Sequence, residues 1–235
     1  MACSADPVLG PIVERHRYHN TTLHFGDGWS DCDLIPDWLS QLVSENPRIL
    51  NYVRVLDIQV QFDRTRKQEQ VIKKQLDDFA NTLLMFPLLE CIMLTTPKNR
   101  IWHWPDVFRA ALKDRLNLPT VKDVQFEGNQ EFPFSLIGNC KNIENLILMG
   151  SFEDAEEVDS TPLQLKSLAL SHHSSPELVN LHIKQLQSLK CAESAVDDLS
   201  ELLEVCFETL NKLDIDLTYS SCEAHVSFDS RRCYN

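Results

Sequence analysis

The sequence predicts an α/β repeat fold: a curved parallel sheet of about eight strands with helices on its convex side. Three observations carry this. Leu165-Lys166-Ser167-Leu168-Ala169-Leu170 is an L-x-x-L-x-L hexamer, and its last two apolar residues, one apart, share a face only in an extended strand. The hexamer recurs at Val53–Ile58, Leu89–Leu94, Val121–Phe126, Ile143–Leu148, Leu186–Cys191 and Leu210–Ile215, at intervals of 36, 32, 22, 22, 21 and 24 residues. A shorter eighth copy, Thr22-Leu23-His24-Phe25, keeps the last two apolar positions. Between the first copies lie amphipathic stretches long enough for helices. Self-similarity at roughly 20–29 residues with this hexamer is the signature of a leucine-rich-repeat-like solenoid.

Taken in order, residues 1–19 form a weakly periodic lead-in whose most basic stretch, Arg15-His16-Arg17-Tyr18-His19, runs into a first strand over Thr21–Phe25. A loop at Gly26-Asp27-Gly28 precedes a short helix that starts near Pro36, with an apolar stripe of Leu39, Leu42 and Val43. A second strand spans Val53–Val60. The clearest helix runs over Gln68–Phe86, with Val71, Ile72, Leu76, Phe79, Ala80, Leu83 and Leu84 at helical spacing and Pro87 as its stop. Another spans Pro105–Leu116 with Val107, Phe108, Ala111, Leu112 and Leu116 inward. A third begins near Ser194, where Ser194-x-x-Asp197 resembles a capping box, and carries Val196, Leu199, Leu202, Leu203 and Cys206. Intervals of 32 and 36 residues hold a full helix, whereas those of 21 or 22 hold a short helix or a turn. The acidic Ser151–Pro162 segment reads as a solvated loop. The repeat domain thus covers residues 20–218, followed by a tail at 219–235 without periodicity.

Composition narrows the function classes. At 235 residues the chain suits one repeat domain or one large globule. Acids outnumber Lys and Arg by 35 to 22, a net charge of −13, which argues against a nucleic-acid partner. No apolar run reaches the eighteen residues of a membrane span, and the first residues lack a signal peptide's basic and apolar regions. Eight cysteines without a C-x-x-C motif, several inside apolar segments, indicate reduced thiols and an intracellular location, cytoplasmic or nuclear.

Catalytic signatures are missing. The sequence has no G-x-S-x-G, no G-x-x-x-x-G-K-[ST] and no G-x-G-x-x-G, and only six glycines. His16-x-x-His19, His172-His173, Asp31-x-Asp33 and Asp214-x-Asp216 do not complete a metal set, so neither metal nor cofactor is expected. Asp214 and Asp216 read as outward positions beside an inward Ile215. Trp102-His103-Trp104-Pro105 predicts one indole packed under the following helix and the other partly exposed.

The repeat pattern itself points to a protein partner. Residues between the inward apolars face the concave surface, where partners of such solenoids dock. The middle outward position reads His24, Asp57, Met93, Gln125, Ile147, Ala169, Lys190 and Asp214. The next outward position contributes Met149. Met93, Ile147, Met149 and Ala169 make the centre apolar, with polar and acidic residues toward both ends, as in a protein-binding patch. The helical back, with Lys73, Lys74, Asp77 and Asp78, is expected to be solvated and to contribute little.

Leu165–Ser171, Leu186–Lys190, Leu199-x-x-Leu202-Leu203 and Leu210–Ile215 together resemble the repeats of fungal F-box/leucine-rich-repeat-like proteins of the mushroom-forming lineage. Val53–Ile58 after Asn46-Pro47-Arg48-Ile49 is similar to the first repeat behind the F-box in that family, and Pro11–His16 through Phe25 to the junction. The resemblance covers roughly residues 11–217. It implies a non-enzymatic substrate-recognition module of an SCF ubiquitin ligase adaptor. The F-box itself, with its Leu-Pro start and apolar helices, is missing, so contact with the Skp linker requires an F-box further upstream. Two alternatives stand beside this reading: a truncated relative or plain scaffold that does not bind the ligase, and an enzyme with an unrecognised site near Trp102-His103-Trp104.

Overall fold

The hexamer forms strands because its first, fourth and sixth side chains are apolar while the second, third and fifth are mostly polar, giving one face to bury and one to leave open. A computed structural model describes residues 9–26, 36–61, 66–97, 102–128, 140–150, 164–170, 185–192 and 208–216, with shorter stretches at 130–131, 136–137, 152–153, 203–204, 206 and 225–229. The protein is α/β and divides into two compact units, residues 1–95 with 104–121, and residues 96–103 with 122–235. Among the described residues eight strands of the hexamer set run parallel, three in the first unit and five in the second.

The first unit runs α1 (Leu9–Tyr18), β1 (Asn20–Phe25), α2 (Pro36–Glu45), a 3-10 turn over Pro47–Asn51, β2 (Val55–Val60), α3 (Arg66–Leu83), β3 (Cys91–Thr95) and α4 (Asp106–Leu116). β2 pairs in parallel with β1 on one side and β3 on the other. Parallel neighbours need a crossover, and α3 supplies the one between β2 and β3. Ile72, Leu76, Phe79, Ala80 and Leu83 are buried at helical spacing along it. Phe79 meets Phe25 of β1 edge-on, ring centroids 5.8 Å apart, so α3 covers the apolar face of the strands. Val71 and Leu84, expected inside, are instead exposed. The five buried residues already fill one stripe, which leaves these two on its flanks.

Pro105 precedes α4 with φ −59° and a non-helical ψ of 145°. One donor of the unpaired first turn is satisfied from outside the helix: Phe108 N–H donates to Asp77 Oδ1 of α3 at 3.3 Å. Phe108, Ala111, Leu112 and Leu116 are buried, and Val107, expected among them, is exposed because it lies a full 100° from Phe108. Trp102 and Trp104 are both buried, and His103 between them is exposed. The expectation of one partly exposed indole is therefore corrected: Trp104 stacks on Phe108 at 5.3 Å.

The second unit holds β4 (Asp123–Glu127), β5 (Gln130–Glu131), β6 (Asn145–Met149), β7 (Phe152–Glu153), β8 (Ser167–Leu170), β9 (Ser188–Ala192), β10 (Lys212–Asp216) and β11 (His225–Asp229). β4, β6, β8, β9 and β10 follow one another in parallel, β11 adds antiparallel to β10, and β5 with β7 forms a small parallel pair. Hexamer positions align in register: Leu146, Leu168, Leu189 and Leu213 are successive Cα partners.

Positions one, four and six are buried in all six copies from Val53 to Cys191. The last copy departs. Leu210, Leu213 and Ile215 are only half-buried, and Asp214, expected outward, is buried with its carboxylate 2.6 Å from Lys212 Nζ. This copy has a neighbouring hexamer on one side only, the general condition of a terminal repeat. Asp31, Asp33, the His172-His173 pair, Ser194 to Leu202 and most of the Ser151–Pro162 segment lie outside the described residues, whereas Leu203 and Cys206 are helical and Cys206 is buried.

Candidate functional site

Hexamer position two stacks copy on copy. The backbone N–H groups of Glu144 and Asn145 both donate to the Lys122 carbonyl. Lys166 and Ser167 donate to Glu144, Gln187 and Ser188 to Lys166, and Asn211 and Lys212 to Gln187. In the first unit Arg54 and Val55 use His19 in the same way, and Glu90 and Cys91 use Arg54. The side chains at this position alternate in sign, so backbone stacking makes ion pairs. Arg54 meets Glu90 at 3.2 Å, and Glu144 lies 3.2 Å from Lys122 and 2.5 Å from Lys166. The hydrogen bond from Lys166, then that from Lys122, holds the Glu144 carboxyl below its ordinary value.

At the other end of the strands, Gly128 and Gly150 have φ of 105° and 140°. A Cβ on Gly150 would lie 1.9 Å from the Gly128 carbonyl oxygen, and one on Gly128 would lie 2.1 Å from that of Thr96. The turns therefore stack backbone on backbone, which only glycine permits.

Between these borders lies the outward face. In the second unit Gln125, Ile147, Ala169, Lys190 and Asp214 are consecutive Cα partners and form one row across five strands. Met149 sits one row over beside Glu127 and is 38% exposed, the most open large apolar side chain among the described residues of this unit. Gln125, Ile147 and Ala169 are half-buried and Lys190 is exposed. Asp123 accepts a hydrogen bond from Asn145 Nδ2 and flanks the apolar residues on the β4 side. The face thus runs from an acidic and amide-bearing edge, through Ile147 and Ala169 with Met149 one row over, to Lys190 and the Lys212–Asp214 pair.

The first unit carries a smaller piece of the same pattern. Asp57 and Met93 are Cα partners, both half-buried, and Gln59 Nε2 donates to Asp57 Oδ2 at 2.7 Å. Asp57 Oδ1 is buried without a hydrogen-bond partner. His24, expected beside Asp57, instead aligns with Gln59, and Thr22 takes the place next to Asp57. The short first copy is shifted by two residues because Phe25 pairs with Val60, not with Ile58.

What this face presents chemically is an apolar centre between polar side chains. Among the described residues no group of three His, Cys, Asp or Glu stands close enough to hold a metal. His16 is exposed at the end of α1, and His19 Nδ1 is 2.7 Å from Asn20 Oδ1. Burial pushes the Cys191 and Cys206 thiols above their ordinary values, which disfavours the nucleophilic thiolate. Cys91, Cys140, Cys191 and Cys206 form no disulfides. Among the described residues no helix is long and apolar enough to cross a membrane.

Sequence reasoning missed a concave feature on the helices. Leu84, Val107 and Ala110 wall an open trough of about 770 Å³ between α3 and α4, floored by Ala80 and Ala111. Its signal was present in the helical spacing: once Phe108, Ala111, Leu112 and Leu116 take the inner stripe, Val107 and Ala110 share an outer flank. Compared with known proteins, the chain matches no family model, no curated protein and no solved structure.

Proposed function

We propose that the chain is a non-enzymatic protein-binding module with the architecture of a leucine-rich-repeat-like solenoid, and that its outward strand face takes the partner. One observation carries the reading: the unbroken row Gln125, Ile147, Ala169 and Lys190, apolar in its middle and polar at both ends, on the face opposite the buried hexamer positions, with the buried Asp214 next in register. Apolar contact at such a centre contributes about 25 cal/mol per Å² before association costs. Asp57 and Met93 extend the same chemistry on the strands of the first unit. By its resemblance to F-box/leucine-rich-repeat-like proteins, the module is the substrate-recognition part of an SCF adaptor. An intracellular site of action suits the absence of disulfides among the four described cysteines.

Crosslinked capture from cell extract, followed by titration with the purified partner, tests this. Met149→Asp with Ile147→Asp should weaken binding at least about tenfold, while Lys74→Glu with Asp78→Lys on exposed positions of α3 should leave it unchanged. The opposite pattern would sink the strand-face reading. Co-capture of Skp and cullin supports an adaptor, and a partner that comes without them supports a plain scaffold.

A further inference from the structure

Resting on the strand-face reading above, we infer the chemistry of the partner: an extended segment that carries a cation, an apolar side chain and a carboxylate at alternate residues. The outward face of the second unit holds opposite charges on either side of its apolar centre. On β4 the Asp123 carboxylate accepts from the Asn145 side-chain amide, a neutral donor that leaves the negative charge in place. The ladder cations beside it, Lys122 and Lys166, are both drawn to Glu144. Three strands away, on β9, Lys190 is exposed. Its neighbour in the row, Asp214, is buried and held by Lys212 at 2.6 Å, so Lys190 keeps its positive charge for the surface. Complementarity therefore asks for a cation over β4 and a carboxylate over β9.

Distance and patch size decide the conformation. From β4 to β9 is three strand steps, about 14 Å at about 4.8 Å each. In an extended segment residues i, i+2 and i+4 face one way, and i to i+4 covers about 13 Å. Laid along the row, such a segment puts its cation over Gln125, within side-chain reach of Asp123, the preceding outward residue of β4. Its middle side chain then meets Ile147 and Ala169, with Met149 as a wall, and its carboxylate meets Lys190. A partner helix would need an apolar stripe from i to i+7, about 10 Å long. Ile147 and Ala169 are a single strand step apart, which is room for one anchoring side chain.

Four labelled peptides of about eleven residues test this on the full chain by fluorescence anisotropy. Their cores are Lys-x-Leu-x-Glu, Lys-x-Leu-x-Lys, Glu-x-Leu-x-Glu and the permuted Lys-x-Glu-x-Leu, with Thr at x to favour extended backbone. The first should bind at least about tenfold more tightly than the other three. Lys190→Glu, at an exposed position, should transfer the preference to Lys-x-Leu-x-Lys, a gain that a misfolded variant cannot produce. Asp123→Asn keeps an oxygen for Asn145 and should narrow the margin over Glu-x-Leu-x-Glu. Equal affinity for the four peptides, or none for any, would overturn the proposal. So would a Lys190→Glu chain that keeps the original preference. Tightest binding of Lys-x-Leu-x-Lys to the parent chain would reduce the effect to the net charge of −13 and overturn it too. Ile147→Asp separates this inference from the reading beneath it. If it abolishes binding that showed no charge preference, the strand face stands and the charge order falls; if it leaves binding unchanged, both fall.

Discussion

The two units use the same hexamer but support it differently. In the first, 32- and 36-residue intervals carry α3 and α4, and stability comes from a second layer: Phe79 against Phe25, and Trp104 against Phe108. In the second, intervals of 21 to 24 residues leave little room for helices. There the copies hold one another through the shared carbonyls at position two, the Lys122–Glu144–Lys166 ladder, and the stacked glycine turns. The first unit shares carbonyls in the same way, on His19 and Arg54, so chain length between strands decides whether a helical layer is added to the stacking along the row. The helical layer adds sensitivity to cavities, while turns are tight in both units: a Cβ on Gly26 would lie 1.6 Å from the Gln61 carbonyl oxygen.

The largest effects should come from the buried layer. Phe79→Ala in the first unit should cost about 3–5 kcal/mol, and Leu168→Ala in the second about 2–5 kcal/mol, through lost transfer energy and the cavity left behind. Leu213→Ala, at the same hexamer position as Leu168 but half-buried, should cost clearly less than Leu168→Ala. Denaturant midpoints at unchanged slope measure all three. Equal losses at Leu168 and Leu213 would break the distinction drawn for the terminal copy.

Next should come Gly150→Ala. The new Cβ must sit at φ 140° and 1.9 Å from a backbone oxygen, so the turn has to shift, at a cost of about 1–3 kcal/mol. An unchanged midpoint would show that the second unit does not depend on turn stacking.

Much of the fold was legible because the hexamer couples two constraints, apolar identity and period two, and only a strand satisfies both. The strands at Val55–Val60, Cys91–Thr95, Asn145–Met149 and Ser167–Leu170 fall where the pattern put them. Legibility failed where a choice depended on neighbours. Thr22-Leu23-His24-Phe25 has two apolar residues that fit the register equally well two residues apart, and only pairing with Val60 decides between them. Val71, Leu84 and Val107 are apolar at almost helical spacing, yet the inner stripe holds only as many residues as the strands beneath can cover. Asp214 is buried although its position is outward in other copies, and its charge is met by Lys212, a pairing within the strand that spacing alone did not reveal. For the candidate site, the sequence named the residues of the outward row, and adjacency within each unit came from the strand register.

A smaller effect concerns reactivity more than stability. Because burial raises the Cys191 and Cys206 thiols, they should resist alkylation in the folded protein and react once it unfolds. Mass spectrometry after a brief iodoacetamide pulse at pH 8, with and without denaturant, reads this. Rapid labelling of Cys191 in the folded chain would mean that the face beneath β9 opens easily.

The smallest effect tests the ladder itself. Glu144 is shared by Lys166 and Lys122, whereas Arg54–Glu90 in the first unit is described as a single pair. The folded carboxyl titrates below its ordinary 4.5, so its contribution is present above that pH and disappears as the pH falls through the lowered value. Glu144→Gln should therefore lower the thermal midpoint slightly at pH 7, with the gap to the parent chain closing as the pH falls below 4.5 and through the lowered value. Added salt at pH 7 should close the same gap, because these side chains stand in solvent and their attraction is screened. The lysines matter to the sign as well: without the carboxylate, Lys122 and Lys166 are left as like charges flanking a neutral amide. Replacing Lys166 by Gln in the Glu144→Gln background should then restore part of the loss at low salt and none at high salt. A gap that survives both acid and salt would show that Glu144 acts through its packing, and that backbone sharing alone aligns the copies of the second unit.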